Sequence, residues 1–474
     1  MVVPDSITVS SKFDKATVPQ EKESEAVLMV SLEGLNERTD EAKARNGIRC
    51  VIALDCSASM ADQQKLDLCK KTISFLCSEI LGDSDKLGIV TFDSQAKVIF
   101  PCSPMTPQNK SLLLSALAKV TPKEHTNLSG GLFQSLDLLR ALPQADDFVT
   151  AILLLSDGEA TSGVTDRSKL VRIATNVVNS FAGAKPTIHA FGYGTSYDEV
   201  LSDLAESTSG TFYHVPDVER IPLAFANSMG GLLSIVAQNM TIEVLVSGGG
   251  AQIFPSNLTQ CSMDLVTGSL ARLNVRDIYL GEKKDILVKM KMPALPNGFS
   301  PVECRITVTY MDVIKEAFVT INSLAKIDRV QNSSIPEEES EDEDIDVVKQ
   351  KIRVETANTL DEARKAAENG FIGQSRTLVD HSLGRATKFL RRMKISEDAD
   401  HTLKDVLADL RNASDSLNTV QTPAQFKATG ISRTMQEASW SHANQRSNTI
   451  SSDRYATVSQ VDLRSMTKNK FNLS

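Results

Sequence analysis

Asp55, Ser57 and Ser59, an acid and two hydroxyls at alternate positions, follow directly on the apolar run Cys50 to Leu54. The carboxylate supplies charge and the serines supply neutral oxygens from one tight turn, a donor set suited to a hard cation such as magnesium. Taken alone the string is weak evidence, because Ser and Asp gather at turns and helix N-caps for structural reasons. Two further segments add to it. Thr126 stands in His125-Thr126-Asn127-Leu128, ahead of a helical pattern from about Ser129, and Asp157 follows the apolar run Ala151 to Ser156. All lie where regular elements begin or end, so a fold can bring them together at the ends of strands, where open α/β sheets bind ligands.

A shell with few carboxylates leaves the ion net positive and with an open position, which an Asp or Glu of a partner protein can fill. That favours binding over catalysis, and the chain is read as a non-enzyme. No nucleophile and base stand at a convincing spacing, no Gly-rich phosphate loop carries a Lys, and no second metal cluster is visible. Water activation by the ion keeps a hydrolase as a distant third reading.

The three segments resemble the von Willebrand factor type A (VWA) family, whose metal-ion-dependent adhesion site (MIDAS) joins an Asp-x-Ser-x-Ser loop, a Thr and a second Asp. The resemblance implies that Asp55, Ser57 and Ser59 coordinate directly or through water, that Thr126 binds directly in the liganded state, and that Asp157 sits nearby, often through water. It implies Mg2+ as the cofactor, with Mn2+ or Ca2+ able to replace it. This chain departs from the pattern at Ala58, where the family often has Gly, and at Glu124-His125, where it has a Gly pair. Ala58 adds one methyl. His125 is read as a surface histidine, with an effect on the rim of the site or its pH response as the second reading.

The elements that must position these residues come from a chain of 474 residues, longer than one core usually reaches, so two or three domains are expected. A hydrophobic content of 41% is enough to build their cores. The seven cysteines are odd in number and scattered without a Cys-x-x-Cys pair, which reads as free thiols in a reducing compartment. Cys56 lies inside the acid and hydroxyl loop, where oxidation would disturb binding; a packing role is the plainer reading. No apolar segment has signal-peptide or membrane-spanning length, and the expected location is the cytoplasm. A net charge of −9 with no basic stripe argues against nucleic acid as a partner.

Apolar runs at Lys86 to Phe92, Ala151 to Ser156 and Thr187 to Gly192 alternate with helical spacing at Gln64 to Leu81, Ser168 to Phe181 and Ile221 to Val236. This predicts a doubly wound, mostly parallel α/β sheet over 48–238. Alternating patterns at Thr241 to Val246, Asp285 to Met292, Cys304 to Tyr310 and Ala317 to Ile321 predict an antiparallel β-sandwich over 239–326. The strand-like Ala26 to Leu32 assigns 1–47 to that sandwich, with the α/β domain inserted through linkers near Asn46 and Gln238. An acidic linker is expected over 327–346, from the run Pro336 to Asp344, with a docking strip or an internal competitor for the metal as its functional reading. Ala-rich helical spacing, interrupted at Gly370 and Gly373, predicts helical hairpins over 347–446. A polar tail, 447–474, has little periodicity outside Val458 to Leu463 and is either disordered or folded back.

The resemblance extends along the chain. Gly192-Tyr193-Gly194, Ser209-Gly210-Thr211-Phe212, Gly230-Gly231-Leu232-Leu233-Ser234, Asp277-Ile278-Tyr279-Leu280-Gly281-Glu282 and Ser441-His442-Ala443-Asn444-Gln445-Arg446 look like segments of a eukaryotic group that couples this domain to a following Vwaint domain. That group includes plant RING-finger ubiquitin ligases of wavy root growth. Their ligase activity sits on a Cys/His zinc module that this sequence does not contain, so ligase activity is not carried over. Two functions remain open: a metal-dependent protein-binding module, and an adaptor or subunit of a ubiquitin-ligase complex without its own RING.

Overall fold

A computed structural model describes residues 4–36, 47–123, 125–143, 148–157, 160–182, 185–193, 199–215, 217–295, 301–331, 343–393, 400–446 and 455–473. Glu124, Gly158, Gly194, the linker near Asn46, residues 336–342 of the acidic run and residues 447–454 lie outside these.

Three N-terminal strands, β1 (Ile7–Phe13), β2 (Thr17–Pro19) and β3 (Ser24–Gly34), precede the α/β unit. The unit contains strands β4 (Ile48–Asp55), β5 (Lys86–Phe92), β6 (Ala96–Pro104), β7 (Val149–Ser156), β8 (Thr187–Tyr193) and β9 (Phe212–Val215). Between and after them run α1 (Lys65–Phe75), α2 (Pro107–Ala118), α3 (Leu128–Arg140), α4 (Arg167–Asn179), α5 (Val200–Ser207) and α6 (Ile221–Leu233). The sheet order is β6-β5-β4-β7-β8-β9, parallel throughout except that β6 returns antiparallel to β5. Every residue of β4 and β7 is buried, as helices on both faces require. Chain order reverses between β4 and β7, which opens a crevice at their C-terminal ends.

Seven further strands follow: β10 (Ile235–Ser247), β11 (Gln252–Ile253), β12 (Ser262–Thr267), β13 (Leu270–Tyr279), β14 (Lys283–Met292), β15 (Val302–Asp312) and β16 (Ala317–Val330). They form two sheets, β12-β13-β10-β15-β16-β2 and β1-β3-β14-β11, so the N-terminal strands pair with strands that come after the α/β unit in sequence. β3 runs antiparallel to β14 from Ser24 opposite Met292 to Glu33 opposite Lys283. A shared apolar core, with Leu28, Val30, Ile242, Val288 and Ile306, lies between the two sheets.

Two sequence boundaries are corrected by this arrangement. Gln238 belongs to β10 and is paired to both β13 and β15, so α6 enters the sandwich through Ser234 without a linker. Residues 327–330, assigned to the acidic linker, complete β16 beside β2, and Ile345 already begins a helix.

The helical region contains α7 (Ile345–Glu368), α8 (Ile372–Met393), α9 (His401–Thr419), α10 (Pro423–Ala428) and α11 (Ile431–Asn444). Gly370, at φ 93°, makes the left-handed turn that ends α7, whereas Gly373 sits inside α8. The terminal stretch holds α12 (Val458–Phe471), which Thr457 and Gln460 start with a reciprocal capping box. α12 folds back on α6: Gln460 donates to the Asn227 carbonyl at 3.0 Å, and Phe471 meets Phe75 edge to face. A Cβ at Gly230 would fall 2.6 Å from the Gln460 Cα, so glycine permits this approach.

His189 on β8 carries a pH dependence. Its Nδ1 accepts from the Thr211 amide at 3.3 Å, which leaves the Nε2 proton for the Thr187 hydroxyl at 3.2 Å. Burial, with the charge of Arg446 adding to it, pushes the imidazole pKa down to about 3. The unfolded chain binds a proton near pH 6.5 that the folded chain refuses until about pH 3, so stability falls as pH drops through that window. His189→Gln is expected to recover about 1–3 kcal/mol of the loss between pH 6.5 and 4. Thermal midpoints of both proteins across that range check it, and parallel profiles would contradict it.

Candidate metal site at the sheet crevice

The C-terminal ends of β4 and β7 deliver Asp55 and Asp157 to the two sides of the crevice. Asp55 is 0% exposed. Its Oδ1 accepts from the Ser57 amide at 2.8 Å and its Oδ2 from the Ser156 hydroxyl at 2.6 Å. Beyond Ser57, a 3-10 turn over Ala58–Gln64 sets Ser59 beside it, with the two hydroxyl oxygens 3.1 Å apart. Ser59 donates to Asp157 Oδ1 at 2.7 Å, so both loops close on one cluster.

Thr126 arrives by a third route. Asn127 caps α3 by accepting from the Gly130 amide, and its own amide donates to the Asp93 carbonyl after β5 at 2.7 Å. The Thr126 amide donates to the Thr161 hydroxyl at 2.9 Å and its carbonyl accepts from the Thr161 amide at 3.0 Å, which ties it to the segment that follows Asp157. The structure thus joins Asp55, Ser57, Ser59 and Asp157 directly. Among the described residues, the Thr126 hydroxyl makes no hydrogen bond to those four. Lys123 braces the rim, its amide on the Cys56 carbonyl at 2.7 Å and its ammonium 2.8 Å from Asp93. His125 takes φ 65°, a conformation that glycine adopts without strain.

Burial raises the Asp55 carboxyl to about 6, and the nearby charge of Asp157 adds to this against the hydrogen bonds from Ser156 and Ser57. Asp55 and Asp157 are both buried among hydroxyl oxygens, and Lys65 balances only one of the two carboxylates, so a further cation would relieve the remaining charge. All the oxygens come from hard donors, and this donor set fits a divalent ion such as Mg2+. Cys56 takes no part: its thiol is buried, donates to the Phe92 carbonyl and is pushed up to about 11 by burial and then by Asp93 and Asp55. It packs, and a thiol held protonated in this way is a poor target for oxidation.

Sequence reasoning did not pick out Ser156, Thr161 or Lys65. Ser156 neighbours Asp157, and its buried hydroxyl position was legible only as the last residue of an apolar strand. Thr161 and Lys65 act across 35 and 92 residues, and no local spacing announces them.

Comparison with known proteins agrees with this topology. Residues 50–227 match the model of the von Willebrand factor type A domain. This segment is a VWA domain.

The VWA domain of this chain shares ancestry with plant proteins. The E3 ubiquitin-protein ligase WAV3 of Arabidopsis thaliana is 24% identical over 264 residues, which is 55% of this chain and 33% of that protein. The inter-alpha-trypsin inhibitor heavy chain H1 of Homo sapiens is 30% identical over 129 residues, 26% of this chain and 13% of that one. The matches therefore span a third or less of these relatives' length. Among solved structures, the ArnB paralog VWA2 from Sulfolobus acidocaldarius superposes with a TM-score of 0.57 at 17% identity, covering 92% of this chain and 99% of its own. That likeness extends the shared fold beyond the VWA domain to the added sheets and helices. VWA domains are generally protein-interaction modules, and many bind a divalent metal. Among the described residues, no helix is long and apolar enough to cross a membrane.

Proposed function

We propose that the chain is a metal-dependent protein-binding protein of the cytoplasm. Asp55, Ser57, Ser59, Thr126 and Asp157 would hold one Mg2+, with Mn2+ or Ca2+ able to replace it. The bound ion supplies a positive charge with an open position for an Asp or Glu of the partner. The chain's own residues prepare that position: Ser156 and the Ser57 amide fix the Asp55 carboxylate, Thr161 fixes the Thr126 backbone, and Asn127 anchors the Thr loop. The observation that carries the reading is the contact of Asp157 with Ser59 across the crevice, beside an Asp55 that is wholly buried. The sandwich and the Vwaint-like helices act as scaffold. The kinship with WAV3 supports a second reading, an adaptor or subunit of a ubiquitin-ligase complex that engages its partners through the helices.

Affinity capture from cell extract separates the two. Wild-type chain in magnesium is compared with wild type in chelator and with Asp55→Ala. Partners lost in both the chelator and the mutant samples are the expected result. Retention of the same partners in all three would move the function to the sandwich or the helices.

A further inference from the structure

Lys65 reaches the candidate metal cluster with a charge of its own. Its ammonium lies 2.5 Å from Asp157 Oδ2 and 3.4 Å from the Ser59 carbonyl. The two side chains are 12% and 1% exposed, so water screens the pair little. Each Asp157 oxygen thus already accepts one hydrogen bond from the chain, Oδ1 from the Ser59 hydroxyl and Oδ2 from Lys65.

The backbone that delivers Lys65 is unusual. Gln63 and Gln64, neither of them glycine, take φ 52° and 59°, and Asp62 at ψ 139° interrupts the turn between the serine loop and α1. Consecutive left-handed residues of this kind persist only where the surroundings hold them. Lys65 is also the first residue of α1, whose N-cap Gln64 makes no side-chain hydrogen bond. A cation there faces the positive end of the helix dipole, an unfavourable place unless an anion compensates it. The anion is Asp157.

We propose that Lys65 is a tethered cation that competes with the divalent ion for Asp157 and Ser59. In this proposal the ammonium balances the Asp157 carboxylate until a divalent ion takes over that role, and the left-handed Gln63-Gln64 turn is the segment that shifts as Lys65 withdraws. Lys65 thereby sets how much divalent ion the site needs. The inference rests on the proposed metal-binding role of these residues.

Magnesium titrations of the full chain by calorimetry test it, with wild type, Lys65→Met and Asp55→Ala in parallel. Methionine keeps an unbranched apolar stem and removes the charge. Lys65→Met is expected to bind Mg2+ about tenfold more tightly than wild type. Equal or weaker binding by Lys65→Met overturns the competition while leaving the site intact. Absence of binding by both overturns the metal reading and the competition together. A second readout uses only the wild-type chain: acetylation of Lys65 by a small acylating reagent, followed by mass spectrometry, is expected to rise several-fold in saturating Mg2+. A rate unchanged by Mg2+ at concentrations that calorimetry shows to be saturating overturns the proposal.

Discussion

Arg446→Ala lowers the stability of the folded chain by about 3–5 kcal/mol, the range for removing one partner of a buried ion pair. Arg446 follows α11 and is buried against the sandwich. Its Nε donates to Glu282 Oε1 at 2.8 Å, and an Nη donates to Glu282 Oε2 at 3.1 Å and to the Asp277 carbonyl at 2.7 Å. The guanidinium carbon lies 4.0 Å from the centre of the Tyr279 ring, a side chain that belongs to the VWA core. Gln445 beside it accepts from the Asp285 amide at 2.7 Å. Removing the guanidinium strands the Glu282 carboxylate, which is also buried. Arg446→Lys is expected to recover little, because an ammonium cannot serve both carboxylate oxygens and the carbonyl in that planar geometry. Scanning calorimetry reads the midpoint, and hydrogen exchange along α11 shows whether the helix undocks first. A variant with the wild-type midpoint would contradict the clamp.

Asp55→Ala is expected to abolish the thermal stabilisation by magnesium that the proposed site predicts for the wild-type chain. An ion that binds only the folded chain stabilises it by about 2.7 kcal/mol at a hundredfold excess over its dissociation constant. Losing the buried carboxylate from a shell that has only one other acid should reduce that gain to near zero. The fold should survive, because β4 is held on both sides by β5 and β7 along its length. Thermal melts with and without Mg2+ check this, and an undiminished shift in the variant would remove Asp55 from the site.

Much of the VWA framework was legible because burial on both faces leaves continuous apolar runs. Lys86 to Phe92 is β5, and Ala151 to Ser156 falls within β7. The candidate donor residues stood out because they sit at ends of elements, where sequence punctuation is strong. Other features left no local trace. Gln64 to Leu81 read as one helix, yet Gln64 is left-handed and the last turn, Leu76–Ile80, widens to a π-helix. Glutamine is no marker of positive φ; tertiary demand imposes it there. β6 contains Pro101 and Pro104 and is largely exposed, so it did not read as a strand, although as the sheet edge it tolerates both. Arg446 was visible only within a resemblance, since its partner Glu282 lies 164 residues away. Lys65 was hidden for the same reason.

The central claim is that Asp55 and its neighbours bind a divalent ion, and calorimetric titration of the 474-residue wild-type chain with MgCl2, beside Asp55→Ala, addresses it without a partner. Saturable binding of about one ion per chain in wild type, with none in Asp55→Ala, is the predicted result. Equal binding by both proteins, or binding by neither, would contradict it.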